Sequence, residues 1–172
     1  MKRVAVLLLA LTVALGLVAT PTPASARGCS VTWGSTAKTA GPSTSPGSPV
    51  QNVRTGRHPC YDRFVVDLGG PASGFAVRYV NRYRAEGSGN VIPLPGGGKL
   101  EIIVRAPGEG FGGTVGQPLP GVTVAGYETF RSTRFGGSFE GQTSFGLGVR
   151  ARLPFRVMKV ANRVVIDVAH HW

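Results

Sequence analysis

Asp62-Arg63-Phe64-Val65-Val66-Asp67-Leu68 and Asn162-Arg163-Val164-Val165-Ile166-Asp167-Val168 state one pattern twice: [Asp/Asn]-Arg-Φ-Val-Φ-Asp-Φ, where Φ is apolar. On an extended strand, successive side chains alternate between faces. Phe64, Val66 and Leu68 then point toward a core, and Arg63, Val65 and Asp67 point the other way. Arg163, Val165 and Asp167 repeat that second face. The plainer account is two core strands whose outer Arg and Asp pair across a ladder. The sharper one is a twofold-like sandwich with a repeated ligand platform. The two strands can be neighbours or lie in opposite sheets.

Runs of the same kind fill the rest of the chain. Gly74–Tyr83 puts Phe75, Val77, Tyr79 and Tyr83 on one side of an alternation. Leu100–Val104 alternates, and Leu153–Val160 places Leu153, Phe155 and Val157 together. Val122–Val124, Tyr127–Arg131 and Phe145–Arg150 are shorter candidates. All are short, rich in β-branched and aromatic residues, and separated by Gly/Pro turns such as Leu94–Gly98 and Gly108–Gly113. That is an all-β pattern, and two opposed sheets bury such half-apolar strands most simply.

Composition agrees. In 172 residues there are 26 Gly and 13 Pro, roughly 23% against a usual ~12%. Long helices, a large α/β enzyme and a multi-span membrane protein are excluded. Lys and Arg number 19 against 8 Asp and Glu, a net charge of +11, and Arg supplies 15 of the cations.

Residues 1–26 read as a signal peptide. Lys2-Arg3 is a basic start, Val4–Ala19 an uncharged apolar run, and Ala24-Ser25-Ala26 a small-x-small cleavage site. Removal leaves 17 cations against 8 anions. Outside the cytoplasm such a chain is drawn to anionic polymers, and the location argues against nucleic acid. Gly28-Cys29 offers an acylation site, but Arg27 interrupts the small residues that lipidation needs. No other run is long and apolar enough for an integral span. Residues 27–49 read as an N-terminal strand and a Ser/Gly/Pro-rich connector, and 50–172 as the sandwich core.

Cys29 and Cys60 are the two cysteines. In an oxidising compartment a disulfide is the default reading, stapling the connector back. It would close a loop worth roughly 3–4 kcal/mol by chain entropy. The alternative is a metal site from Cys60, His58, His170 and His171, but that spacing matches no ligand set, and His170-His171 reads more simply as a solvated tail. No metal or cofactor is expected.

Catalytic signals are thin. Glu140, alone or with Glu128, is the one carboxylate position that could serve a wall hydrolase, and no Gly-x-Ser-x-Gly elbow is present. Gly108–Gly113 formally satisfies GxGxxG. The chain then runs into Thr-Val-Gly-Gln-Pro-Leu-Pro, which cannot form the helix a dinucleotide site requires. The arginines are more informative. Arg78, Arg82 and Arg84 fall opposite Val77 and Tyr79, and Arg150, Arg152 and Arg156 fall opposite Leu153 and Phe155. Two such stripes could form one basic face, and guanidinium forks suit carboxylates and phosphates. The alternative is a solvated face that blocks edge pairing. Tyr79 and Tyr83 read as core, with Tyr83 able to stack on a sugar.

Gly28-Cys29-x-Val31-x-Trp33-Gly34-Ser35 and Val53-Arg54-x-Gly56-x-His58-x-Cys60-Tyr61-Asp62-Arg63 resemble the AMIN-like domain of actinobacterial exported proteins and lipoproteins. Phe139-Glu140-Gly141, Phe145-Gly146-x-Gly148-Val149-Arg150, Leu153-Pro154-Phe155-Arg156-Val157 and Arg163–Val168 agree, so the likeness covers about 28–172. The family is similar to the AMIN domains that accompany N-acetylmuramoyl-L-alanine amidases and secretins. The resemblance implies a β-sandwich, a Cys29–Cys60 bridge and a non-catalytic envelope-binding module. No amidase or secretin domain follows in this sequence. The expectation is a secreted, wall-associated module that binds peptidoglycan or its anionic attachments through Arg78, Arg82, Arg84, Arg150, Arg152 and Arg156. The runner-up is a module that pairs by an edge strand with an envelope protein.

Overall fold

The two echoing runs are neighbours. In a computed structural model that describes residues 28–41, 47–72 and 74–172, they form adjacent antiparallel strands. The described strands are β1 (Lys38–Ala40), β2 (Val50–Arg57), β3 (Tyr61–Leu68), β4 (Phe75–Tyr79), β5 (Gly98–Val104), β6 (Phe130–Phe139), β7 (Gln142–Val149), β8 (Phe155–Val160) and β9 (Arg163–Ala169). They make a five-stranded sheet, β1-β4-β5-β7-β6, and a four-stranded sheet, β2-β3-β9-β8. All pairings are antiparallel. No helix occurs among the described residues, and the expected signal peptide lies outside them.

The alternation sets the core. Phe64, Val66, Leu68, Val164, Ile166 and Val168 meet Val77, Leu100, Ile102, Val104, Phe145 and Leu147 between the sheets, all buried. Phe64 and Phe145 tilt against each other at 6.1 Å. One end of the sandwich is closed by polar groups. Buried Asp62 accepts hydrogen bonds at Oδ2 from the backbone N–H groups of Thr129 and Phe130 (2.7 and 3.2 Å), tying β3 to the start of β6. His170 sits in the same place, bonded through Nδ1 to Thr129 Oγ1 and through Nε2 to the His58 carbonyl. It is buried rather than part of a solvated tail, because Ala169 and His170 continue the hydrogen bonding of β9 to Pro154 and Cys60. His171 is exposed.

The far side of the five-stranded sheet is covered by its own chain. Strand β7 presents Ser144, Gly146 and Gly148 there, a nearly bare strip. Tyr83, Ala85, Ile92 and Leu94 form a second apolar cluster on it. Tyr83 shares a hydrogen bond with Ser144 Oγ at 3.0 Å. The expected strand Gly74–Tyr83 therefore ends at Tyr79, and Tyr83 lies on the sheet face opposite Val77. The chain bends at Asn81 and Arg82 and doubles back over the sheet.

Other boundaries moved for similar reasons. Among the described residues of 27–49, the strand is Lys38–Ala40. Val122–Val124 is loop, and the Tyr127–Arg131 run becomes strand only from Phe130. The stretch that carries Arg150, Arg152 and Arg156 runs from one sheet to the other, through a turn at Arg150–Pro154 between β7 and β8. Tyr79 fixes that turn: its hydroxyl donates to the Leu153 carbonyl (2.9 Å) and accepts from the Leu153 N–H (3.0 Å). Burial raises the Tyr79 pKa to about 12, against the lowering effect of the Leu153 contact and nearby Arg152.

Candidate functional site

Register turns the repeated motif into a symmetric surface. Arg63 lies opposite Asp167, Val65 opposite Val165, and Asp67 opposite Arg163. Each outer aspartate is thus brought to the partner strand's arginine, and a flanking strand adds a second. Asp167 is fully buried between Arg63 Nε (2.7 Å) and Arg156 Nη2 (2.8 Å). Asp67 takes Arg54 Nε at 2.8 Å and Arg163 Nε at 3.0 Å. Burial pushes the Asp67 pKa up, but the bonds and charges of Arg54 and Arg163 outweigh it and hold the carboxyl below its ordinary value. The bonds to Asp67 and Asp167 in turn raise Arg54 and Arg63.

Between the two clusters Val65 and Val165 are buried yet belong to neither apolar cluster. With Met158 and Val160 they floor a shallow groove of about 370 Å³ walled by Arg54, Arg63, Arg156 and Arg163. The long arginine stems cover the valines while the guanidinium heads stay near solvent. Four cations against two anions leave this face positive.

Aromatic rings mark one end of it. The Arg156 guanidinium lies over Trp33 at 4.4 Å and over Tyr61 at 5.5 Å, and Arg63 lies over Tyr61 at 5.3 Å. Trp33 meets Tyr61 edge-on, and His58 stacks on Tyr61 at 4.5 Å. The Cys29–Cys60 disulfide and the Phe155 N–H donating to the Gly34 carbonyl hold the Trp33 segment against the sheet. With Cys60 in the bridge and both His170 ring nitrogens engaged, the alternative metal site does not form. Among the described residues no group of three potential ligands is assembled.

The expected arginine stripe does not form one face, because β4 and β8 belong to different sheets. Arg78 is on the five-stranded sheet, bound to Glu101 at 2.7 Å. Arg82 and Arg84 follow in the covering segment, where Arg84 donates to the Gly89 carbonyl. Arg150 and Arg152 occupy the β7–β8 turn, donating to the His170 carbonyl and to Ser35 respectively. Arg156 alone of the six joins the groove. Arg54, Arg63 and Arg163 were the missed members, although the repeated Arg-x-Val-x-Asp had signalled two of them.

The other candidate positions have structural explanations. Glu140 and Gly141 both have positive φ, 50° and 74°, and make the two-residue turn between β6 and β7. Glu128 lies beside the His170 and His171 rings, at 3.7 and 3.4 Å. A larger groove, about 660 Å³, runs along edge strand β6 between Val122–Tyr127 and Arg131–Arg134. Phe135 turns its N–H and carbonyl to Gln117 and Gly116, and the carbonyls of Phe130 and Thr133 accept from Arg131 and Arg134. This edge is occupied by its own side chains and loop, as protected edges are.

A family model described as AMIN-like domain matches residues 48–170. The chain belongs to the AMIN-like domain family. AMIN-like domains are non-catalytic, extracytoplasmic modules, and membership makes this a cell-envelope-related chain. No curated protein and no solved structure matches it significantly.

Proposed function

We propose that this AMIN-like chain is an exported, non-catalytic module that binds a cell-wall polymer, peptidoglycan or its anionic attachments, through the outer face of its four-stranded sheet. The observation that carries the reading is the groove in which four guanidiniums surround two aspartates. Paired Asp residues pre-orient the arginine forks, so less side-chain freedom is lost when an external carboxylate or phosphate docks. The Trp33 and Tyr61 rings beside one cluster hold the Arg156 and Arg63 guanidiniums in place by stacking. The alternative, pairing by an edge strand, is disfavoured at β6, whose edge is capped by its own side chains and loop.

Co-sedimentation of the purified protein with isolated cell walls tests this, run across a salt series with walls intact or stripped of anionic polymers. Retention should fall steeply with ionic strength and be lost in Arg54→Gln/Arg156→Gln. It should persist in Arg82→Gln/Arg84→Gln, in the segment that covers the other sheet. Retention by intact but not stripped walls assigns the anionic attachments, and equal retention assigns peptidoglycan. Retention that ignores both salt and the Arg54/Arg156 pair overturns the reading.

A further inference from the structure

We infer that this groove engages two anionic groups of one ligand chain at once, held about 13 Å apart. The inference rests on the reading that the face binds an anionic polymer, and adds the spacing that the polymer must present.

The spacing follows from register. Asp167 sits at the level of Arg63, and Asp67 at the level of Arg163. Along β3 those levels are four residues apart, about 13 Å at the ~3.3 Å rise of a strand. Each level is a separate anion site in miniature. Its carboxylate is shared by two arginines, Arg63 with Arg156 and Arg54 with Arg163, so one net positive charge remains at each. A guanidinium has five N–H donors, more than the aspartate contacts consume.

Val65 and Val165 lie midway and donate nothing. A ligand charge placed over them would lose water without gaining a partner. The surface therefore favours charge at both ends of a span and an uncharged stretch between. A single small anion fills one cluster only. A chain with two correctly spaced anions fills both, and the second contact forms at the raised effective concentration that the linkage provides.

The test titrates the purified protein, at fixed ionic strength, with α,ω-alkane diphosphates of increasing spacer length and with matched alkyl monophosphates. Affinity should peak where the phosphates span about 13 Å, with a gain on the order of tenfold or more over the monophosphate. Arg163→Gln should abolish that gain while the monophosphate still binds at Arg63 and Arg156, which also shows that the variant is folded. Arg54→Gln should behave likewise. An affinity that is flat with spacer length, or a peak that survives both variants, overturns two-point binding. If wall retention still depends on the Arg54/Arg156 pair, the polymer-binding reading then stands alone. Failure of every phosphate to bind, together with wall retention indifferent to those arginines, overturns both.

Discussion

Asp67 and Asp167 occupy equivalent places about a local twofold axis that passes between Val65 and Val165. Strands β3 and β9 run antiparallel with Arg63 facing Asp167 and Asp67 facing Arg163. One strand sequence paired with a near copy of itself thus satisfies both of its outer charges. The flanking strands break the symmetry. Arg156 lies directly opposite Asp167, whereas Arg54 lies opposite Val65 and reaches Asp67 diagonally. Trp33 and Tyr61 cover the Arg156 end. Asp167 is consequently fully buried, while 18% of the Asp67 side chain is exposed.

That difference orders two substitutions. Removing a carboxylate buried between two cations leaves both without a partner, which costs 3–5 kcal/mol in dry sites. Arg63 and Arg156 are partly solvated, so Asp167→Asn should cost less, about 2–3 kcal/mol. Asp67→Asn should cost about 1 kcal/mol. Urea unfolding of both variants measures the two losses. A larger loss at Asp67 would contradict the burial argument.

The depressed pKa of Asp67 also has a pH signature. The ionised carboxylate is favoured in the folded chain, so its contribution is fully present above the unfolded carboxylate pKa, about 4. It is lost as pH falls from there through the lowered folded value. The stability gap between wild type and Asp67→Asn should be constant from neutral pH to about 4 and shrink below it. Glu86 has the opposite sign, since burial and then neighbouring Glu101 raise its pKa. Glu86→Gln should therefore be the more stable protein at neutral pH, with its advantage fading as acid protonates the wild-type carboxyl. Denaturant midpoints across a pH series read both gaps, and gaps independent of pH would refute the assignments.

The sandwich was legible where strands alternate strictly. Asp62–Leu68 and Asn162–Val168 carry β-branched residues on both faces and read as core strands. β2 was missed because Val50–Arg57 buries only two apolar side chains, Val50 and Val53. Its edge position leaves the remainder polar. β6 was mostly missed because it is buried on both faces and its buried positions are Ser132, Thr133, Gly136 and Gly137 as much as Phe130 and Phe135. The positive φ of Gly137, 106°, sits at a register shift between Phe135 and Gly137. The candidate face was half legible for a different reason. Alternation within a run says which side chains share a face, but not which runs share a sheet. The six expected arginines were therefore dispersed, while the repeated motif had already paired Arg63 and Arg163 with the aspartates of the neighbouring strand.

Glycines on β7 decide whether the covering segment can lie on the five-stranded sheet. A Cβ at Gly148 would stand 1.9 Å from the Pro95 carbonyl oxygen, and one at Gly146 would stand 2.6 Å from the Tyr83 ring. The first clash is with backbone, so relief requires moving the segment itself. Gly148→Ala should destabilise by about 3 kcal/mol or more and Gly146→Ala by about 1–3 kcal/mol. Gly110, with nothing within 4 Å of its added Cβ, should tolerate alanine within about 0.5 kcal/mol. Thermal or urea melts of the three variants give the order, and a neutral Gly148→Ala would mean that the segment does not press on β7.

The Cys29–Cys60 bridge joins residues 31 apart in sequence, and its loss should be felt in two separable ways. Cross-linking of such a loop restricts the unfolded chain, so Cys29→Ser/Cys60→Ser should lower stability by about 2–4 kcal/mol. The sheets should remain, because the core draws no buried residue from 28–35. The local effect falls on Trp33. Without the bridge its segment keeps the Gly34 carbonyl bond to β8, the contacts of Arg152 with Ser35, and the Arg156 stack. These are few and near the surface, so the segment should loosen in the native state. In a Trp172→Phe background the remaining tryptophan reports on that segment alone. The serine variant should show red-shifted native emission with an unchanged far-ultraviolet β-sheet spectrum. Unshifted emission together with a lowered unfolding midpoint would mean that Arg156 and β8 hold Trp33 without help, leaving the bridge to act through the unfolded chain only.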